Sequence, residues 1–325
     1  MVARLVDPLL IVLAGPTASG KTTLSLYLAE RLPCEIVSCD SVAIYREMEI
    51  GTAKPDKADR ERIPHHLIDV IDPTGHYTAG DYSRDARRVL REIIARGRVP
   101  VVTGGTGFYL RALTEGLFAG PQRSESLRER LRRSAEKHGR GWLYQLLMRL
   151  DPISAERIHP NDTPKLVRAI EVCIAGRQPM SEAWKEGRDP LKGFRIVRIG
   201  LEPDRDRLYG RIDQRAAAMF QNGLVEETRR LLEKYGDARP FDSLGYKQAK
   251  ALLRNEVREA DAIAQAQQGH RNYAKRQLTW FRREPDIFWL RGFGDETRVQ
   301  RRVVELIEEA GSNQHAGGPH MGQSH

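Results

Sequence analysis

An α/β fold, a parallel sheet flanked by helices and carrying an all-helical insertion, is what this 325-residue chain predicts. Three observations carry it. The apolar run Leu9 to Ala14 enters Gly15-Pro16-Thr17-Ala18-Ser19-Gly20-Lys21-Thr22, which opens a helical pattern from Leu24 to Glu30. Further short apolar runs end in turn signals at Glu35 to Ser38, His66 to Val70 and Val99 to Thr103, with helical stretches such as Ala79 to Arg96 between some of them. That alternation argues βαβ units and a parallel sheet. From Ser124 to Ala175 the pattern is instead helical and heavily charged with no strand candidate, and strand periodicity returns only at Phe194 to Leu201.

Taken in order, the first element is the most informative. G-x-x-x-x-G-K-T between a strand and a helix is a phosphate-binding loop in its required context, so the sheet is expected to be P-loop NTPase-like. Glycines let the backbone curl its N–H groups toward phosphate oxygens, the helix N-terminus adds positive potential, Lys21 brings a cation and Thr22 can hold Mg²⁺. The loop suits a di- or triphosphate; whether a nucleotide or another pyrophosphate is left open by the loop itself. The second element ends at Asp40, where side chains at the carboxyl ends of parallel strands project into the crevice. There a carboxylate can take a proton from a nucleophile, or simply cap a helix over Ser41 to Met48. The later strand at Val99 to Val102 runs into Thr103-Gly104-Gly105-Thr106-Gly107 without the magnesium-binding acid of motor-type NTPases, which argues against an ATP-driven machine.

The organisation that follows is a core domain in two parts, 1–121 and 191–311, a helical insertion over 122–190, and a polar, aperiodic tail over 312–325 read as disordered. The second part of the core is mostly helix, broken at Gly223, Gly236 and Pro240. Lys and Arg number 53 against 44 Asp and Glu, a net charge of +9 that permits a polyanionic partner. The 3 cysteines lack paired spacing, which argues against a disulfide frame or zinc finger and fits the reducing cytoplasm. No run approaches the roughly eighteen apolar residues of a membrane span, and the amino end lacks a signal-peptide layout. His65 and His66 are adjacent on a strand run and so point to opposite faces, which speaks for separate structural roles.

Several motifs together resemble one family, the tRNA dimethylallyltransferases or tRNA isopentenyltransferases. They are the loop at 15–22, Asp40-Ser41 with Ile44-Tyr45-Arg46, Ile50-Gly51-Thr52-Ala53-Lys54-Pro55, and Gly104-Gly105-Thr106-Gly107-Phe108-Tyr109-Leu110. His159-Pro160-Asn161-Asp162, Arg168-Ala169-Ile170-Glu171, Gly245-Tyr246-Lys247 and Lys275-Arg276-Gln277-Leu278-Thr279-Trp280-Phe281-Arg282 continue it to about residue 283. With no zinc finger after the last motif, the resemblance is to the bacterial type.

The resemblance implies that Gly15, Pro16, Thr17, Ala18, Ser19, Gly20, Lys21 and Thr22 cradle the pyrophosphate of dimethylallyl pyrophosphate, with Thr22 on Mg²⁺. A five-carbon prenyl group would pass to the 6-amino group of the adenine at tRNA position 37, beside the anticodon. Asp40 is then the general base, and Thr106 and Arg215 lie near the departing pyrophosphate, where donors and cations act on developing charge. A duplex hides adenine, so the reacting base would be unstacked from the loop of the anticodon stem-loop and drawn into a crevice. The resemblance also assigns tRNA contact to Asp40, Ser41, Val42, Ala43, Thr106 and Arg128. It adds Pro164, Lys165, Leu166, Val167 and Arg168, then Asp242, Ser243, Leu244, Gly245, Tyr246 and Lys247, and finally Lys275, Arg276, Gln277, Leu278, Thr279, Trp280, Phe281 and Arg282. Many relatives carry Gln where Ala43 stands and Arg where Lys165 stands; Ala43 has no side chain to hydrogen-bond a base, and Lys165 lacks a bidentate fork.

Read without the resemblance, Lys275, Arg276, Thr279, Arg282 and Arg283 recur at helical spacing and make either a solvated face over a core Trp280 or a phosphate-contacting face. Arg211, Asp213 and Arg215 likewise make either a charged surface or a site. A metabolite kinase would need the same loop but no long basic surface. An isopentenyltransferase for free adenine nucleotides would have little use for the helical insertion. A non-enzymatic tRNA-binding protein would not need Lys21, Thr22, Asp40, Thr106 and Arg215 together. The expectation is a monomeric cytoplasmic enzyme without membrane attachment.

Overall fold

A computed structural model describes residues 7–118, 120–139, 141–185 and 187–312. Among them the strands β1 (Leu9–Ala14), β2 (Cys34–Cys39), β3 (His65–His66), β4 (Val99–Gly104), β5 (Arg195–Leu201) and β6 (Ile287–Leu290) form one sheet. Its order is β3-β2-β4-β1-β5-β6, and every pairing is parallel. Being central, β1 is covered on both faces, which is why it reads as an unbroken apolar run rather than an alternating one. Leu10, Ile11, Val12, Leu13 and Ala14 are buried. Ile11 and Leu13 pack with Leu24 and Leu28 of α1 (Lys21–Ala29) and Val303 of the last helix, Thr297–Ser312. Each such buried aliphatic contributes about 1.5–3 kcal/mol of apolar transfer.

The register brings the carboxyl ends of three strands level: Leu13 lies beside Thr103, and Ser38 and Cys39 beside Thr103 and Gly104. The loops after β1, β2 and β4 therefore open at one end of the sheet. β2 and β4 approach closely there, since a Cβ on Gly104 would lie 2.1 Å from the Cys39 carbonyl oxygen. Gly104→Ala should destabilise the protein by about 3 kcal/mol, because a backbone atom must give way; a urea midpoint equal to that of the parent would reject this.

Two expectations about local structure are corrected. The run His66 to Val70 does not stay extended: β3 stops at His66 because Leu67 and Asp69 take positive φ of 60° and 56°. Residues 69–71 turn instead to the segment after β2, with Val70 N donating to Ile44 O at 2.8 Å and Arg46 N to Ile71 O at 2.8 Å. That cross-pairing also displaces a helix over 41–48, where the chain forms turns. The sixth strand, Ile287-Phe288-Trp289-Leu290, was not anticipated; it adds to β5 through Arg198↔Ile287 and the pairs that follow.

Residues up to 113 and from 192 form one compact unit and 114–191 a second; the insertion expected over 122–190 lies inside the latter. The second unit contains the helices Glu125–His138, Trp142–Leu150, Pro152–Arg157, Thr163–Gly176 and Met180–Lys185. Its own core joins Leu127, Leu131, Leu143, Leu147, Leu166 and Ile170. The chain enters and leaves it at a closed neck: Leu191 N donates to Thr114 O at 2.9 Å and Arg188 pairs with Glu115 at 2.6 Å. The expected disordered tail from 313 lies outside the described residues, while Ser312 ends the last helix.

Candidate active site

The loop 15–22 bends where its glycines allow it, with Gly15 at φ 147° and Gly20 at φ 86°, conformations that cost glycine little. Gly20 is also held from behind: a Cβ there would meet Gly294 N at 2.8 Å, and Gly294 N donates to Ser19 O at 2.9 Å. In front of the loop lies a cavity of about 370 Å³, lined among others by Thr17, Lys21, Thr22, Asp40, Arg215 and Tyr273.

Lys21 turns back on its own loop, donating to Gly15 O at 2.9 Å and Pro16 O at 2.6 Å. Burial, and then the neighbouring Arg215 charge, lower its ammonium to about 7. Arg215 comes from the helix Arg205–Gln221 and donates to the Thr17 hydroxyl; burial holds it below its ordinary range, partly offset by Asp40. Two poorly solvated cations thus face one cavity, an arrangement that awaits an anion. Phosphate binding favours charged Lys21, so affinity should fall as pH rises through about 7. Calorimetry of pyrophosphate binding near pH 8 should show proton uptake by the parent beyond that of Lys21→Met. Equal uptake by both would show that Lys21 does not titrate on binding.

Asp40 closes the second wall. Its Oδ1 accepts from Val42 N at 2.8 Å and Ala43 N at 3.2 Å. It caps a turn rather than a helix, and Oδ2 takes no hydrogen bond from a described residue. Thr106 joins the loops after β2 and β4: its Oγ1 accepts from Ser41 N at 3.0 Å, and its N–H donates to Cys39 O at 3.1 Å. Cys39 itself is inert, since burial pushes its thiol up to about 12.

One helix, Glu259–Phe281, braces all of this. Gln277 accepts from Thr17 N at 2.8 Å and donates to Gly105 O at 2.9 Å, tying the anion loop to the loop after β4. Gly105 and Gly107 are required for that docking, because a Cβ would sit 2.0 Å from the Gln277 amide and 2.2 Å from the Trp280 ring respectively. Tyr273, one turn earlier, lines the cavity; burial, then Asp40, push its phenol up to about 12. The cavity's further wall, around Thr52 to Pro55, is held by buried Lys54, which donates to Tyr45 O and Asp69 Oδ1, each at 2.6 Å.

Of the residues expected to meet RNA, the structure exposes some and buries others. Lys247, Lys275, Arg276, Thr279, Arg282, Pro164 and Lys165 are exposed, whereas Ala43, Leu166, Val167, Gly245, Tyr246, Gln277 and Phe281 are buried. Arg128 and Arg168 are both engaged by Glu171, each at 2.7 Å. Burial would raise that carboxyl, but the hydrogen bonds from Arg128 and Arg168 outweigh it and bring it to about 2. Asp242 pairs with Lys250 at 2.7 Å, Ser243 bonds Pro240 O at 2.6 Å, and Tyr246 donates to Glu227. Val42, Leu244 and Leu278 are partly covered. Tyr273 and the bracing part of Gln277 were missed, although Tyr273 and Gln277 recur at helical spacing beside the basic face. Nothing local signals the Gly294 contact.

A family model described as IPP transferase matches residues 43–284, and related sequences align along almost the whole chain. The chain belongs to the IPP transferase family. Family members named tRNA dimethylallyltransferase include one from Koribacter versatilis (strain Ellin345), 60% identical over 303 residues, 93% of this chain and 99% of that protein. One from Solibacter usitatus (strain Ellin6076) is 50% identical over 300 residues, 92% and 97%. The solved tRNA isopentenylpyrophosphate transferase of Bacillus halodurans matches with TM-score 0.68 and 33% identity over 94% of this chain and 99% of that one. A eukaryotic dimethylallyltransferase solved acting on tRNA matches with TM-score 0.81 and 26% identity, over 94% and 80%.

Proposed function

We propose that this IPP transferase moves a dimethylallyl group from dimethylallyl pyrophosphate to the 6-amino nitrogen of adenine 37 in tRNA. The observation that carries it is one cavity lined at once by the anion loop, Lys21 and Arg215 and by the Asp40 carboxylate. A bond forms between the amine nitrogen and the terminal carbon of the prenyl group, while that carbon's bond to oxygen breaks and its electron pair leaves with pyrophosphate. The amine proton goes to Asp40, whose Oδ2 is unengaged while Oδ1 keeps the turn in place. Backbone N–H groups of the loop, Lys21, Arg215 and the Thr17 hydroxyl meet the charge that grows on the leaving group. Thr106, bonded to Ser41, fixes the rim over which the base enters.

Mg²⁺ fits the donor set. Thr22 lines the cavity and is exposed toward it, and no cluster of three or more metal-binding side chains occurs among the described residues. A cation held by few protein oxygens and completed by phosphates and water matches that set. Bound there, it would neutralise pyrophosphate charge, with Thr22 as its protein ligand. No helix among the described residues is long and apolar enough to cross a membrane. Action on tRNA and the unpaired, buried Cys34, Cys39 and Cys173 support a cytoplasmic setting.

The test uses labelled dimethylallyl pyrophosphate and Mg²⁺ with either an anticodon stem-loop or AMP. Label should enter the stem-loop; transfer to AMP alone would overturn the proposal.

A further inference from the structure

We propose that Phe108 is a stacking platform for an unpaired base next to the reacting adenine, an inference that rests on tRNA being the substrate. Phe108 is the second residue of the helix Gly107–Thr114, two residues after Thr106, and is 52% exposed. Its support is rigid. The Trp280 ring meets it edge-on, with centroids 6.5 Å apart at 79°. Trp280 is pressed against Gly107 on one side and carries the Arg111 guanidinium 4.5 Å from its centroid. Arg111 is fixed in turn by Glu284, its Nε donating at 3.1 Å.

A lone exposed phenylalanine usually means nothing. This one stands beside a polyanion's natural surface. The helix that supplies Trp280 exposes Lys275 and Arg276, and the turn just past its end exposes Arg283; none of the three has a carboxylate partner among the described residues. A positively charged strip along a fixed aromatic face is the arrangement that holds single-stranded nucleic acid, because phosphates take the cations and any base offers a π-face. Trp280 is itself occupied as the support, with Phe108 on its edge and Arg111 over its face. Phe108 is the ring left open to solvent. A base drawn from its loop stack leaves its neighbour unstacked, and a ring three residues past the cavity-lining Gly105 offers that neighbour a new face.

The experiment uses the full chain and a stem-loop carrying 2-aminopurine in turn at each nucleotide flanking the reacting adenine. Phe108→Ala should weaken stem-loop binding about 5- to 150-fold, the range for one lost aromatic stack, and abolish 2-aminopurine quenching at one flank. Phe108→Trp should retain both, Phe108→Leu should behave like Ala, and the KM for the prenyl donor should stay unchanged in all three. Full binding and quenching in Phe108→Ala, or Leu serving as well as Phe, overturns the stack. So does a changed donor KM with RNA binding intact, which would place Phe108 at the donor. Failure of the unaltered protein to prenylate any stem-loop would instead sink the substrate assignment, and the binding and quenching measurements would still decide the stack.

Discussion

Asp40→Asn should slow prenyl transfer by roughly 10²- to 10⁴-fold at saturating donor and RNA, the usual cost of losing a positioned general base, while stem-loop binding persists. The substitution is a mild one for the fold. An amide oxygen can still accept from Val42 N and Ala43 N, which now bond Oδ1 at 2.8 and 3.2 Å, so the turn after β2 survives. What disappears is an oxygen able to take the amine proton. The carboxylate also raises Lys21, against burial and Arg215, which lower it; its removal lets Lys21 lose its proton at a lower pH. Saturating donor is therefore needed to separate chemistry from donor affinity. Single-turnover rates within a few-fold of the parent would remove Asp40 from its place as base.

Arg215→Met should reduce kcat/KM for the prenyl donor by about 10²- to 10³-fold, on the scale of other losses of a preorganised partner to developing charge. Stability should be nearly unaffected or improved, since the guanidinium is held below its ordinary range by burial and Met replaces its stem. A second signature accompanies the first. Arg215 is among the causes that lower Lys21, so the variant's pyrophosphate affinity should fall off at a higher pH than the parent's, which begins to weaken near 7. An unchanged pH profile with unchanged donor kinetics would show that Arg215 serves only the Thr17 hydroxyl it bonds.

How far the sequence reveals this site depends on how local each constraint is. The anion loop is wholly legible, because strand, glycines and helix start lie within Leu9–Ala29 and each residue type has its own physical reason there. Strand ends are legible only while their neighbours stay extended. At 66–70 the apolar run was misleading, since the positive φ of Leu67 and Asp69 is imposed by pairing with residues 43–46. β6 escaped notice for a related reason: four residues have no periodicity to display, and only Arg198 to Leu201 alongside them make a strand. At Asp40 the capping chemistry was legible but not what it caps, a turn where a helix was expected, since the pairing of residues 43–46 with 69–71 decides that. Least visible is Gln277, whose partners Thr17 and Gly105 lie 260 and 172 positions away. A glutamine in a basic helical stretch looks like a surface group; burial and two backbone partners turn it into a joint between loops.

The hydrogen bond from Leu191 to Thr114 and the Arg188–Glu115 pair make the helical module a side excursion that returns to its point of departure. Because its two stems are fastened together before either reaches the sheet, helices within it can lengthen, shorten or be exchanged without the separation between β4 and β5 having to change. Such a graft point lets the module vary in length and make-up through evolution while the strands on either side of it keep their places.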